Sequence, residues 1–502
     1  MESTTLKLLA GALAVLLLYV ISVYTYWKRR RIPTANGFIP FVGHFLPIYS
    51  LRNSMGKYFQ KMYNECKQHS MFGVYDIFQP ILVVREPRLV KNILQSNFSS
   101  FHKNAWELVP DVDPLLHKNP FFAEGEQWMT GRKRLTYAFS SMRLKILFQA
   151  VAGVGKKFED FLSRKLKTKD KYEVELTEFF GRFTAESVAN AGLGIEGYSF
   201  DDNPPPNTFQ ELGTETFELN FVNALLSNLL FFKPAINRFL RISFVPKHVD
   251  KFFRQVVNEN LQMRRTAETT RNDFFQTMFD LAKTSGEELN SEELTSHALS
   301  FFVDGFETSR ITLSFVGYQL ARHPDIQQKM RDEVKSTIAK HGGVLTYEAT
   351  KELTYMEQVI SESQRLNPAL GFFRKRCTEK IELVGSDGLR VWVQPGTDII
   401  ISIDGLQVDP EHWQDPEKFD PDRFSEERKR SIEKMAFIPF GEGPRMCVGM
   451  RMAMVVMKHC LATLLDNYKL ELSPKTQLPL QMTPLFFLNK PIGGLWAYVS
   501  KL

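Results

Sequence analysis

Cysteine is scarce in this chain. Its four residues, Cys66, Cys377, Cys447 and Cys460, show neither metal-type nor disulfide-type spacing, so the body reads as reduced and cytosol-facing. Net charge is almost as scarce. Of the +6 total, +4 lies in residues 1–32, where Lys7, Lys28, Arg29, Arg30 and Arg31 face only Glu2. The rest of the 502 residues therefore carry a net +2, which gives nucleic-acid binding no support. There is no internal repeat, no compositionally disordered tract and no flavin or dinucleotide fingerprint. Long hydrophobic runs are also missing, with one exception.

That exception is Leu8–Trp27, twenty residues without a charge. At ~1.5 Å per residue it spans a bilayer core of ~30 Å. Lys28, Arg29, Arg30 and Arg31 follow at once, so the positive-inside rule puts them in the cytoplasm with the short N-terminus in the lumen. A cleaved signal peptide has a shorter apolar core, about 7–15 residues, with its basic charge in front. An uncleaved signal anchor fits better. The expected organisation is a lumenal 1–7, an anchor 8–27, a connector 28–43 punctuated by Pro33, Gly37, Pro40 and Gly43, and one large body, 44–502.

Hydrophobic residues make up 43% of the chain and include 42 Phe, enough for a large core. Short β-rich runs are expected at Phe72–Asp76 and Ile81–Arg85. Helical patterns then dominate from Pro87 to Leu366, with loops at Asp201–Pro206 and around Ser285 and Gly286. Strands and turns return between Cys377 and Ile403. Glu292–Arg322 reads as one long apolar helix, with Asn290 and Glu293 as a capping box and His323-Pro324 as its stop. The Phe-rich stretch Phe217–Phe244 fits two readings, a helix-packing surface or a second membrane contact.

The most informative segment is Phe440-Gly441-Glu442-Gly443-Pro444-Arg445-Met446-Cys447-Val448-Gly449, followed by an apolar helical pattern. The glycines allow sharp turns close to a flat macrocycle. Cys447 at a helix start can be held as a thiolate by the dipole and free N–H groups. Arg445 can neutralise a propionate, and Phe440 can cover the sulfur. A buried filler cysteine would need neither the glycines nor the arginine.

On this motif the chain resembles the cytochrome P-450 family, and with Phe301-Phe302 and Glu307-Thr308-Ser309 it is similar to that family's insect and vertebrate detoxifying members. Four further motifs agree. Asp304-Gly305-Phe306-Glu307-Thr308-Ser309 lies mid-helix, where an acid, a glycine and an alcohol are costly unless they serve each other or a ligand. The resemblance makes Thr308 and Glu307 a proton relay. Asp304 stands where the family usually has Ala or Gly. It either accepts the Thr308 hydroxyl or places a charge among the substrate contacts. Glu362 and Arg365, with Arg423 in Phe419-Asp420-Pro421-Asp422-Arg423-Phe424, imply a buried network that supports the cysteine loop. Trp128 and Arg132 are expected at a haem propionate, as is one of Arg374, Lys375 and Arg376, with Lys375 at the family's position.

The resemblance implies a mainly α fold with a small β subdomain behind one N-terminal transmembrane helix. It implies haem b with an axial Cys447 thiolate, and a microsomal monooxygenase on the endoplasmic reticulum membrane with its catalytic domain in the cytosol. Expected partners are membrane lipid, dioxygen, a lipophilic small molecule, NADPH-cytochrome P-450 reductase and, as a further donor, cytochrome b5. Arg132, Lys133 and Arg134 are candidates for reductase docking. Candidate substrate-lining segments are Phe101–Phe122, Phe209–Phe221, Ala369–Phe373 and Thr483–Phe487. The rival readings are a haem-thiolate isomerase or dehydratase that needs no reductase, and an anchored haem sensor or carrier.

Overall fold

The computed structural model describes residues 2–266, 271–284 and 290–502. The expected loop around Ser285 and Gly286 lies outside them. The chain forms two compact units, one of Met1–Ala105, Leu370–Pro416 and Glu433–Arg445, the other of Trp106–Ala369, Glu417–Ile432 and Met446–Leu502.

The first unit opens with the helix Glu2–Tyr24, whose apolar span Thr4–Tyr24 has none of its residues buried. The body starts earlier than the expected anchor end, because Trp27 is a core residue with 1% of its surface exposed. Its indole Nε1 donates to the Val74 carbonyl at 3.1 Å. Its ring lies so close over Gly73 that a Cβ there would sit 2.3 Å from it. The candidate membrane span thus ends near Tyr24, and Trp27 ties the chain into a sheet.

That sheet has five strands in the order Met71–Asp76, Gln79–Val84, Asp398–Ser402, Phe372–Arg376 and Lys103–Asn104. The first two form an antiparallel hairpin, and Gln79–Val84 then runs parallel to Asp398–Ser402 with Val83 opposite Ile400. Both Met71–Asp76 and Asp398–Ser402 are buried at every position, which fits the consecutive apolar Ile399, Ile400 and Ile401 of the second. The strands expected between Cys377 and Ile403 are present as Ile381–Val384, Arg390–Val393 and Asp398–Ser402. The strand Phe372–Arg376 was not foreseen. Its Arg374-Lys375-Arg376 run looks solvated, but Arg374 and Lys375 are buried, and both arginines donate to the Asp398 carboxylate at 2.6 Å.

The second unit is mostly helical. Its axis is Ser291–Arg322, 32 residues and so about 48 Å long, packed against Leu176–Ser187 and Lys247–Thr266. His323 ends it and Pro324 starts the next helix. Asn290 caps the start through Glu292 N–H at 2.9 Å. The reciprocal half of the expected capping box is absent, because the Glu293 carboxylate is held by Arg134 instead. An antiparallel sheet of Lys171–Glu175, Trp496–Lys501 and Tyr468–Leu472 completes the unit.

Candidate haem-binding site

The cysteine loop shows why its glycines are needed. Gly441 and Gly443 have φ of 72° and 76°, where a side chain is strained. A Cβ on Gly443 would also sit 1.9 Å from the Leu94 carbonyl oxygen. Glu442 accepts from Gln95 at 2.9 Å and helps hold the turn. Phe440 is half-buried, and it and Arg445 belong to the first unit, whereas Met446 and Cys447 open the last segment of the second.

Within the first unit, Lys375 is 3% exposed and its ammonium donates to Asn104 Oδ1 at 2.9 Å. Burial, then the neighbouring charge of Arg445, holds its pKa well below the usual lysine value. Arg374 and Arg376 are both taken by Asp398. Among the described residues no carboxylate stands at ion-pair distance from Lys375. A buried cation beside a second cation is costly unless an anion joins it, so Lys375, next to the charge of Arg445, suits a propionate.

Within the second unit, Gly449 caps the helix Met450–Asn467, two residues after Cys447. The Cys447 side chain touches open space, yet protein encloses it, and burial pushes its thiol up to about 11. The N–H groups of Gly449 and Met450 and the charge of Arg132 pull the other way, while Asp304 adds to the rise. Burial exceeds the helix-start effect, so a thiolate here needs a cation at the sulfur, as an iron ion would supply. Arg132, on the helix Gly125–Ala138, donates to the Met446 carbonyl. Burial lowers its pKa and Cys447 raises it. Trp128 is half-buried one turn earlier. Of the three candidate docking bases, Lys133 is the exposed one, since Arg134 pairs with Glu293.

Asp304 and Thr308 also border open space in mid-helix. The expected contact from hydroxyl to carboxylate does not form. Thr308 Oγ1 donates to the Asp304 main-chain carbonyl at 2.8 Å, the ordinary backbone alternative for a helical threonine. The Asp304 carboxylate accepts instead from Asn119 Nδ2 at 2.8 Å. Burial raises its pKa to about 6 against the opposing Asn119 bond.

Glu307 faces elsewhere and is fully buried. Its Oε2 is held by Arg310 Nε, one turn on. Its Oε1 has no hydrogen-bond partner and lies 3.9 Å from the Lys490 ammonium. Lys490 and Arg310 in turn reach Glu218, at 3.2 and 3.6 Å, and Glu218 is 51% exposed. A chain of charged groups thus runs from Glu307 to the surface. Sequence reasoning missed Asn119, Glu218 and Lys490, because no motif spacing ties them to the long helix, and it passed over Arg310, which stands one turn after Glu307 on that helix. For Asn119 the only signal was Asn119-Pro120, which marks a turn and nothing more.

Glu362 and Arg365 are completely buried and joined at 2.7 and 2.8 Å. Arg423 donates to Glu362 Oε1 at 3.3 Å and Asp420 N–H does so at 2.9 Å. An aromatic cluster joins Trp106 to Phe231 at 4.9 Å, Phe487 at 5.4 Å and Phe121 at 6.3 Å between ring centroids. In the Phe-rich stretch, Phe217, Phe231 and Phe232 point inward, whereas Phe221 and Phe239 are exposed.

The Cytochrome P450 family model matches residues 33–496. The chain belongs to this family. The cytochrome P450 is 29% identical to "Cytochrome P450 9e2" of Blattella germanica, over 99% of this chain and 98% of the relative. It is 32% identical to "Probable cytochrome P450 28d1" of Drosophila melanogaster, over 98% of both, and 31% identical to "Probable cytochrome P450 6a14" of the same organism, over 96% of both. Members of the family are haem-thiolate monooxygenases that carry haem with an axial cysteine thiolate, and the N-terminal helix Thr4–Tyr24 is long and apolar enough to cross a membrane. The residues fit the group. In the second unit Cys447 faces open space and Arg132 and two main-chain N–H groups act on its sulfur; in the first unit the buried Lys375 lies beside the charge of Arg445, a setting suited to a carboxylate.

Proposed function

We propose that this P450 is an NADPH-dependent monooxygenase supplied with electrons by the membrane-bound reductase, with cytochrome b5 as a further donor. Its substrate is a lipophilic small molecule, of xenobiotic or endogenous lipid-like type. The observation that carries the reading is the setting of Cys447, which borders open space near a helix start and is acted on by Arg132 and Asp304; Asp304 and Thr308 border open space as well, and we take these open faces to line one hollow. The bound haem supplies dioxygen activation, for an overall RH + O2 + two electrons + two protons giving ROH + H2O. Cys447 Sγ would hold the haem iron, and Phe440 would help to exclude water from the bound haem. Arg132, Trp128, Arg445 and Lys375 would hold the haem propionates. Thr308 Oγ1 passes a proton into the hollow. Glu307 Oε1, without a hydrogen bond of its own, takes up protons that arrive by way of Lys490 and Glu218.

Thr4–Tyr24 spans the endoplasmic reticulum membrane, Lys28–Arg31 stay in the cytosol, and residues from Trp27 onward form the catalytic body. Phe221 and Phe239 rest on the same membrane and give apolar substrates a way in from lipid. Incubation with reductase, NADPH and isotope-labelled dioxygen tests the reading. One labelled oxygen atom should enter the product for each NADPH productively used. Turnover of a peroxide without reductase would favour the isomerase or dehydratase, and haem binding without any turnover would favour a sensor or carrier.

A further inference from the structure

The helix Ser291–Arg322 is buried on almost every side in its middle, and its open positions form one stripe, with Phe301, Asp304, Gly305 and Thr308 all at least partly open. Positions spaced by three and four residues share a helix face. Asp304 is the only ionisable group on that stripe. Its partner Asn119 is 1% exposed, and Asn119 Oδ1 accepts the Phe121 N–H at 2.7 Å. With the amide oxygen so engaged, the NH2 end must face Asp304, and it can only donate. Asn119 therefore holds Asp304 as an acceptor.

Asp304 Oδ2 takes the Asn119 hydrogen, and among the described residues Oδ1 has neither a hydrogen bond nor an ion pair. The two groups that could have used it are engaged elsewhere or of the wrong kind. The Thr308 hydroxyl is bound to the main chain, and Cys447, the other ionisable group that senses Asp304, carries no positive charge. An enclosed carboxylate without a cation is costly to keep. Phe121 and Phe122 follow directly on the same loop, half-buried, and aromatic faces favour organic cations.

The geometry points to Asp304 as the specificity-determining carboxylate of the substrate hollow, held by Asn119, which selects substrates bearing an ammonium group on an apolar body. The inference rests on the monooxygenase reading, since it takes the hollow to receive the substrate.

The test uses the purified holoenzyme and spectral titration with two probes, a phenylalkyl trimethylammonium and its neutral tert-butyl isostere. A quaternary nitrogen cannot ligate iron, and its charge does not vary with pH. The wild type should bind the cation about tenfold or more tighter than the isostere. Asp304→Asn should weaken the cation about ten- to hundredfold and leave the isostere within about twofold, and Asn119→Ala should weaken the cation by less. Equal affinity of the wild type for both probes would overturn the inference, as would equal weakening of both by Asp304→Asn. Should Asp304→Asn fail to take up haem, the wild-type preference alone decides. A wild type without a thiolate-type carbon-monoxide spectrum would instead defeat the monooxygenase reading, so the two failures are distinguishable.

Discussion

Replacing Glu362 by alanine should be among the most damaging single changes in this protein, and the structure says why. Glu362 is fully buried and takes two hydrogen bonds from Arg365, one from Arg423 and one from Asp420 N–H. Alanine would take from two guanidinium groups the carboxylate they share, one of them fully buried and the other 7% exposed. Breaking a buried pair from one side costs about 3–5 kcal/mol. That is a large part of a total stability of about 5–15 kcal/mol, and it shifts the folded fraction by about two to three and a half powers of ten. The pair Lys329–Asp422, at 3.0 Å with both side chains 56% exposed, is the internal control. Asp422→Ala should cost well under about 1 kcal/mol because solvent screens the pair. The assay is the yield of haem-loaded protein together with its urea unfolding midpoint. Glu362→Ala with the yield and midpoint of Asp422→Ala would refute the reasoning.

Thr308→Ala should keep NADPH oxidation but divert it to peroxide, measured as the ratio of peroxide to hydroxylated product; an unchanged ratio removes Thr308 from proton delivery. Lys490→Met should raise the solvent isotope effect on turnover at normal haem content if Lys490 serves Glu307, and an unaltered isotope effect would confine it to structure. His459 is buried and its pKa falls to about 4 through burial. The native state therefore resists the proton that the unfolded chain accepts below about 6.5, and stability is lost as pH falls through that window. About 2 kcal/mol should go from this residue between pH 7 and pH 5, and His459→Gln should lose stability less steeply over that range by that amount. Deleting residues 2–24 should release much of the protein from membranes and leave the haem spectrum intact, whereas extending the deletion through Trp27 should lower the unfolding midpoint, because a core side chain is removed at a cost of about 3–5 kcal/mol.

The parts of the fold governed by local rules were legible. The long helix was read from its cap, its apolar period and its His323-Pro324 stop, and the hairpin strands from their apolar runs. The cysteine loop was legible because its glycines answer to backbone geometry. What escaped depended on distant partners. Phe372–Arg376 was hidden because the buried Arg374 and the part-buried Arg376, both paired with Asp398, look like surface charges. Trp27 read as anchor because apolar residues look alike whether lipid or Gly73 receives them. Asp304 was noticed as a departure from the family pattern, but only the fold shows that Asn119, and not Thr308, meets its carboxylate. Likewise Glu307 gains its route to the surface from Lys490 and Glu218, which no spacing connects to it.

The claim on which all else depends is that Cys447 supplies the thiolate. The most direct test is the ferrous carbon-monoxide spectrum of purified wild type and Cys447→Ala. The wild type should show the band of thiolate-ligated haem, and the variant should lose both that band and all turnover. A variant that keeps the thiolate band would place the ligand elsewhere and contradict the account.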